Sequence, residues 1–307
     1  MQIKPGMNDV RWMATGAAVL LVCLLVVFHY HKDQDPAAQI AFKARRVELV
    51  GRMQLDLASA SEAEKSAVLA ISDQDSQTFA DQARAAAVKV EQERRELGEL
   101  LTTSGPAGEP ELLAQFSTAF AEFQRIDKEL LALAVRNTNL KAYSLAFGPA
   151  ATALKAMDGS LARLPTEDAQ ALRFATNARI AAWRLLTLIP PHIAEEDENK
   201  EDALEALMAA EDAQVQKNLA DLAALPKFSN DPELTSATAR YAEFSKIKTR
   251  ILTLSRENTN VRSLSISLNQ KRKVMWVCQE ALGALQQAIQ AEPIAGITYG
   301  TAPVRPR

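Results

Sequence analysis

FQRIDKELLALAVRNTNLKAYSLAF, from Phe123 to Phe147, is echoed 121 residues later by FSKIKTRILTLSRENTNVRSLSISL, from Phe244 to Leu268. In the first copy Phe123, Ile126, Leu130, Leu133, Asn137, Leu140, Ser144 and Phe147 follow one another by three or four positions. The second copy steps identically through Phe244, Ile247, Ile251, Leu254, Asn258, Val261, Ser265 and Leu268. That spacing predicts one stripe along a continuous helix, the seam by which helices pack at a shallow angle. Each stripe then carries an asparagine and a serine where a plain packing helix has leucine.

Outward from these stripes the correspondence continues. Glu109-Pro110-Glu111-Leu112 and Asp231-Pro232-Glu233-Leu234 both read as helix starts, with proline in the first turn and acids beside it. Leu154, Met157 and Leu161 reappear as Met275, Cys278 and Leu282. The chain therefore reads as two copies of one four-helix module, an internal repeat that divides it near residue 165. In the first copy, helices are expected from Pro36 to the low 70s and on to Leu101. A break follows at TTSGPAGEP (Thr102 to Pro110), then the Asn-Thr-Asn helix ending at Gly148-Pro149, and a last helix closing at Pro165. In the second, Thr166 is expected to cap a helix with Ile180, Trp183 and Leu186 on one face, ended or kinked by Pro190-Pro191. A helix carrying Leu204, Met208, Val215, Leu219 and Leu222 precedes the second Asn-Thr-Asn stripe. The expected organisation is all-α: residues 36–165 as a first antiparallel four-helix bundle, 166–291 as a second, and 292–307 as a disordered tail.

Ahead of the helices, Trp12 to Tyr30 is apolar apart from Thr15, Gly16 and His29, and about 19 residues of helix just cross a bilayer core. The segment runs into His31, Lys32, Asp33 and Asp35 with no small-x-small cleavage site, so it reads as an uncleaved transmembrane anchor. Residues 1–11 are then expected inside, and the bulk of the chain on the extracytoplasmic side of a bacterial-type inner membrane, because a large C-terminal domain translocates largely regardless of its charge.

Composition agrees with long helices: hydrophobic residues make up 48%, charged residues 24% and aromatics only 6%. The net charge of −3 and the absence of a basic patch interleaved with aromatics exclude nucleic acid as an expected partner. Cys23 and Cys278 do not form a disulfide framework. There is no glycine-rich phosphate loop, no His-Glu-x-x-His and no nucleophile elbow, so no catalytic residue, cofactor or metal is expected and the chain does not read as an enzyme.

Two successive four-helix units behind one membrane span resemble the extracytoplasmic sensor domain of methyl-accepting chemotaxis receptors and related sensor kinases. The resemblance rests on helix number and length, on Arg136-Asn137-Thr138-Asn139 and Glu257-Asn258-Thr259-Asn260, and on Ile189-Pro190-Pro191-His192-Ile193. It implies ligand sensing, although the second span and output module of such receptors have no counterpart in the sequence. A membrane receptor or kinase partner, and a homodimer, are the corresponding expectations. The alternative is a structural tether of the cell envelope with no small ligand.

The candidate binding residues are Asn137, Asn258, Ser144 and Ser265, as amides and hydroxyls facing a cavity for a small polar or anionic ligand, with Arg136 and Arg179 as guanidinium partners. The competing reading is that a seam asparagine fixes helix pairing. Asn139 and Asn260, about 200° further round the helix, are expected on the surface or at a second interface. Arg45, Arg46 and Arg184 read as solvated charges, as does His192 beside Glu195 and Glu196.

Overall fold

The computed structural model describes residues 36–165 and 167–294, apart from the side chains of 103 and 104. The expected anchor at 12–30, the segment before it and residues 295–307 lie outside the described residues. Among the described residues no helix is long and apolar enough to cross a membrane, and no strand occurs.

The helices are α1 (Pro36–Leu69), α2 (Asp73–Ser104), α3 (Glu109–Ala134), α4 (Thr138–Leu145), α5 (Ala151–Ala162), α6 (Ala169–Ala194), α7 (Glu198–Ala224), α8 (Pro232–Glu257), α9 (Thr259–Ile266) and α10 (Arg272–Ala291). A π-helical turn, Ala146–Ala150, joins α4 to α5, and another, Ser267–Lys271, joins α9 to α10. The all-helical expectation holds; the first join falls at 70–72, and the second break is shorter than expected, since the helix expected to stop at Leu101 runs on to Ser104 and the next begins at Glu109. The start at Asp231 is as expected: its carboxylate accepts from the N–H groups of Glu233 and Leu234, at 2.8 and 3.1 Å, with Pro232 in the first turn.

Several local expectations are corrected. The long Asn-Thr-Asn helix is broken in both copies at its asparagine. Gly148-Pro149 does not end a helix; the wider π turn absorbs the proline, whose ring and missing N–H do not fit a regular α turn. Proline is not the whole cause, because the equivalent turn in the second copy carries Asn269-Gln270. What the two turns share is register: Ala142, Ala146 and Ala150, and likewise Ser263, Ser267 and Lys271, are all buried at steps of four residues. Asp168, not Thr166, caps α6, accepting from Gln170 N at 2.8 Å and Ala171 N at 3.2 Å. That helix continues through Pro190 and Pro191 to Ala194. Its core face is alanine-rich (Ala171, Ala175, Ala178, Ala182, Leu185, Ile189), so Ile180 and Trp183 point outward, 46% and 39% exposed.

The compact units do not follow the expected boundary at 165/166. Of the described residues, one comprises 36–57, 88–119 and 277–294; the other comprises 58–87, 120–165 and 167–276. Helices α1, α2, α3 and α10 therefore contribute residues to both. In the first unit Leu49, Val50, Met53 and Leu57 of α1, Val90, Leu97 and Leu101 of α2, Leu113 and Phe116 of α3, and Cys278, Leu282, Leu285 and Ile289 of α10 are buried. The start of α1 holds the end of α10. Lys43 Nζ donates to the carbonyls of Gln290 and Glu292, at 2.7 and 2.6 Å, where helix carbonyls are otherwise unpaired. Arg46, fully buried, donates to both oxygens of Glu109 and also pairs with Glu292.

The second unit shows why the linear division fails. The fourth helix of the first copy, from Thr138 to Ala162, packs with α6, α7 and α8 of the second copy in a single core running from Ala142 to Leu254. Arg163 pairs with Glu233, and Ser160 meets Ser236 at 3.1 Å. Conversely, Ile266 of the second copy packs against Ala67, Ala80, Leu130 and Leu131 of the first, and Lys271 pairs with Asp127. The two copies have exchanged their fourth helices.

Candidate functional site

Exchange requires α3 and α8 to end and the next helix to leave in a new direction. Asn137 (φ 50°, ψ 40°) and Asn258 (φ 51°, ψ 38°) do this, both in the left-handed region that asparagine tolerates better than other side-chain-bearing residues. Each ends one helix and opens the next: Lys141 N donates to Asn137 O, and Arg262 N to Asn258 O, both at 3.0 Å.

The starts of α4 and α9 then meet head to head, two positive dipole ends with unpaired N–H groups. Each caps the other. Thr138 N donates to Thr259 Oγ1 at 3.2 Å, and Thr259 N to Thr138 Oγ1 at 3.1 Å. Asn139 N donates to Asn260 Oδ1 at 3.2 Å, and Asn260 N to Asn139 Oδ1 at 3.1 Å. The amides complete the reciprocity, since Asn139 Nδ2 donates to Asn258 Oδ1 at 2.7 Å and Asn260 Nδ2 to Asn137 Oδ1 at 2.9 Å. A local pseudo-twofold axis thus passes between Thr138 and Thr259. At the equivalent positions 136 and 257 the copies differ in charge, and Arg136 pairs with Glu257 across the axis at 2.5 Å. Two arginines or two glutamates there would repel.

Outside this core the copies differ. Asn137 Nδ2 donates to Ser76 Oγ at 2.9 Å and Asp73 Oδ1 at 3.1 Å; Lys141 first and this amide second hold the Asp73 carboxyl below its ordinary range. Asn258 Nδ2 donates to Glu195 O, and Asn139 Nδ2 also to Ile193 O, both at 2.6 Å. They fasten the α6–α7 turn, which is held from below by His192. That buried ring touches Ser255 Oγ at 2.7 Å and Glu205 Oε1 at 2.9 Å, not Glu195 or Glu196, so it is not the solvated residue its sequence context suggests. Among the described residues no group of three His, Cys, Asp or Glu side chains is placed to hold a metal.

The sequence-derived candidates fare unequally. Asn137 and Asn258, expected in two separate bundles, share one cluster, and their amides are spent on Asn260, Asn139, Ser76 and the α6–α7 turn. Asn139 and Asn260 belong to the same cluster, contrary to expectation, because the left-handed residue re-aims everything after it. For the same reason Ser144 lies exposed and Ser265 half-buried, and Phe147 and Leu268 are 68% and 54% exposed. Arg136 serves the pseudo-axis. Arg45 pairs with Glu48 and Glu96, and Arg184 approaches Glu211 at 3.8 Å.

Together with Arg184, Arg179 lines a groove. It spans about 590 Å³ on the face of α5 and α6 and is bounded by Asp158, Thr176, Arg179, Ile180, Trp183, Arg184 and Thr187. Asp158 accepts from Arg179 at 2.6 and 3.2 Å and from Trp183 Nε1 at 3.4 Å. The Arg179 guanidinium first, and the indole N–H after it, hold the Asp158 carboxyl below its ordinary range. Two guanidinium groups, an indole and two hydroxyl side chains thus line one open face. Sequence reasoning placed Ile180 and Trp183 on one helical face, and that face lines the groove.

No family model matches the sequence. No curated protein matches it either. Among solved structures, the chain is similar to the crystal structure of the V. parahaemolyticus histidine kinase sensor TorS sensor domain, with 10% sequence identity over 82% of this chain and 97% of that one, at a TM-score of 0.49.

Proposed function

We propose that the chain is a sensor-like binding module, held at a membrane by its apolar 12–30 segment, that takes a small carboxylate with an apolar body on the α5–α6 face and acts through a partner protein. The observation that carries this reading is the groove around Arg179. Its guanidinium is already oriented by Asp158, an incoming carboxylate competes with Asp158 for the same fork, and Trp183 and Ile180 supply apolar surface beside it. The expected role is recognition and not catalysis. A bound ligand would act on α5, which belongs by sequence to the first copy and by packing to the second, so a shift there bears on both copies.

The test is thermal denaturation with a panel of small carboxylates carrying aromatic or branched apolar groups. Ligand at about 100 times its Kd adds about 2.7 kcal/mol, which for a domain of this size raises Tm by roughly 5–10 °C. Arg179→Gln should abolish the shift while leaving the unliganded Tm nearly unchanged, since this pair is part-exposed. No shift with any compound, or an equal shift in the variant, overturns the assignment. The envelope-tether reading would then gain, and one observation already favours it: the four junction amides pair with one another, with backbone and with the Ser76 and Asp73 side chains, as a structural pin requires.

A further inference from the structure

The exchange gives the two copies equivalent core positions with opposite chemistry. In the core formed with α6, α7 and α8, the fourth helix contributes Ala142, Ala146 and Ala150. The corresponding positions on the other fourth helix, 121 residues on, are Ser263, Ser267 and Lys271, all buried. The apolar set shows that this packing needs no polar groups. Lys271 is nonetheless turned inward at the π turn, where its ammonium donates to Asp127 and, at 3.2 Å, to the Phe123 carbonyl, and lies 3.1 Å from the centre of the Phe123 ring. Glu64 is fully buried, and neither of its oxygens has a hydrogen-bond partner of good geometry.

We propose that Glu64 is a proton-operated latch on the π turn. With its proton on, Glu64 is neutral and Lys271 belongs to Asp127, so the buried cluster carries no net charge. With its proton off, two carboxylates compete for one ammonium, and Lys271 is drawn toward Glu64, which shifts the Ser267–Lys271 turn and the start of α10 with it. The groups facing Glu64 are few. Asp127 comes from α3, Ser267 and Lys271 from the π turn, and Lys65 is its neighbour on α1. Helix α2 presents Ala80 and Ala83 to this core, while its Asp81 and Arg84 are exposed and paired with each other. Burial raises the Glu64 carboxyl above its ordinary range, opposed more weakly by Ser267 and Lys271.

The sign follows from proton uptake. A carboxyl whose folded pKa lies above its unfolded value of about 4.3 binds its proton more tightly in the latched state, so latching weakens as pH rises through that window. Hydrogen exchange of the 263–276 amides in the full chain reads this directly. After correction for intrinsic exchange chemistry, local opening in the wild type should grow with pH above about 4.3, by up to about tenfold per unit for a single proton. In Glu64→Gln the profile should be flat. Identical profiles in the two proteins overturn the latch. A carboxyl-carbon NMR titration of the wild type needs no variant: Glu64 should titrate above the exposed glutamates, and titration among them also overturns it.

Discussion

Asn137→Ala is expected to destabilise the chain by roughly 2–5 kcal/mol in urea denaturation. Alanine carries a cost of about 1–2 kcal/mol in the left-handed conformation. Removing the amide also strands a donor of Asn260 in a buried cluster, at about 1–3 kcal/mol. Against a typical total of about 5–15 kcal/mol this is a large fraction. The conformational and hydrogen-bonding parts can be separated. Asn137→Gly keeps the backbone at ease and loses only the amide, so it should recover about 1 kcal/mol relative to alanine. Asn137→Asp keeps an acceptor for Asn260 but turns a charge toward Asp73, so it should be worse at neutral pH than in acid. Asn258→Ala should behave like Asn137→Ala, and the double variant should lose less than the sum, because the two amides belong to one network. An unchanged urea midpoint in Asn137→Ala would show that the junction does not hold the helices together.

Lys271→Met should be at least as damaging, about 3–5 kcal/mol at neutral pH, since it leaves Asp127 in the core with no cation and Glu64 close by. The deficit should shrink on acidification as the carboxyls take up protons. Replacing the cluster as a whole has the opposite expectation. Glu64→Ile with Asp127→Leu and Lys271→Met imitates the apolar chemistry of the other core, and exchanging a buried ion pair for packed side chains is commonly neutral or stabilising by about 1–4 kcal/mol. A single variant as stable as the wild type, or a triple variant as damaged as the single one, would contradict the pairing described here.

Much of this molecule was legible in the residues. The all-helical build and the helix starts at Glu109 and Asp231 follow from composition, spacing and capping chemistry. The exchange of fourth helices was not legible, for a physical reason. Equivalent helices carry equivalent apolar faces, so the stripe Leu154, Met157, Leu161 fits α6, α7 and α8 as well as it fits α1, α2 and α3, and no periodicity distinguishes the two partners. The break at Asn137 escaped because a single left-handed residue does not interrupt an i, i+3, i+4 pattern on paper. The signal was asparagine itself, which favours this conformation at helix ends. The outward turn of Trp183 was hidden because alanine fills the core face of α6, and a face of alanines is easily passed over when larger apolar residues sit beside it.

The traded helices also set an order of events during synthesis. Residues 138–257 are contiguous, so the core of α4 to α8 can close as soon as it has left the ribosome. The helices α1, α2 and α3, made first, must wait for α9 and α10, made last; Arg46 and its partner Glu292 are 246 residues apart. At about 5–20 residues per second that delay amounts to roughly 12–50 s. Throughout it the oldest part of the nascent chain exposes an unfilled apolar groove, which makes it the natural place for a chaperone to hold.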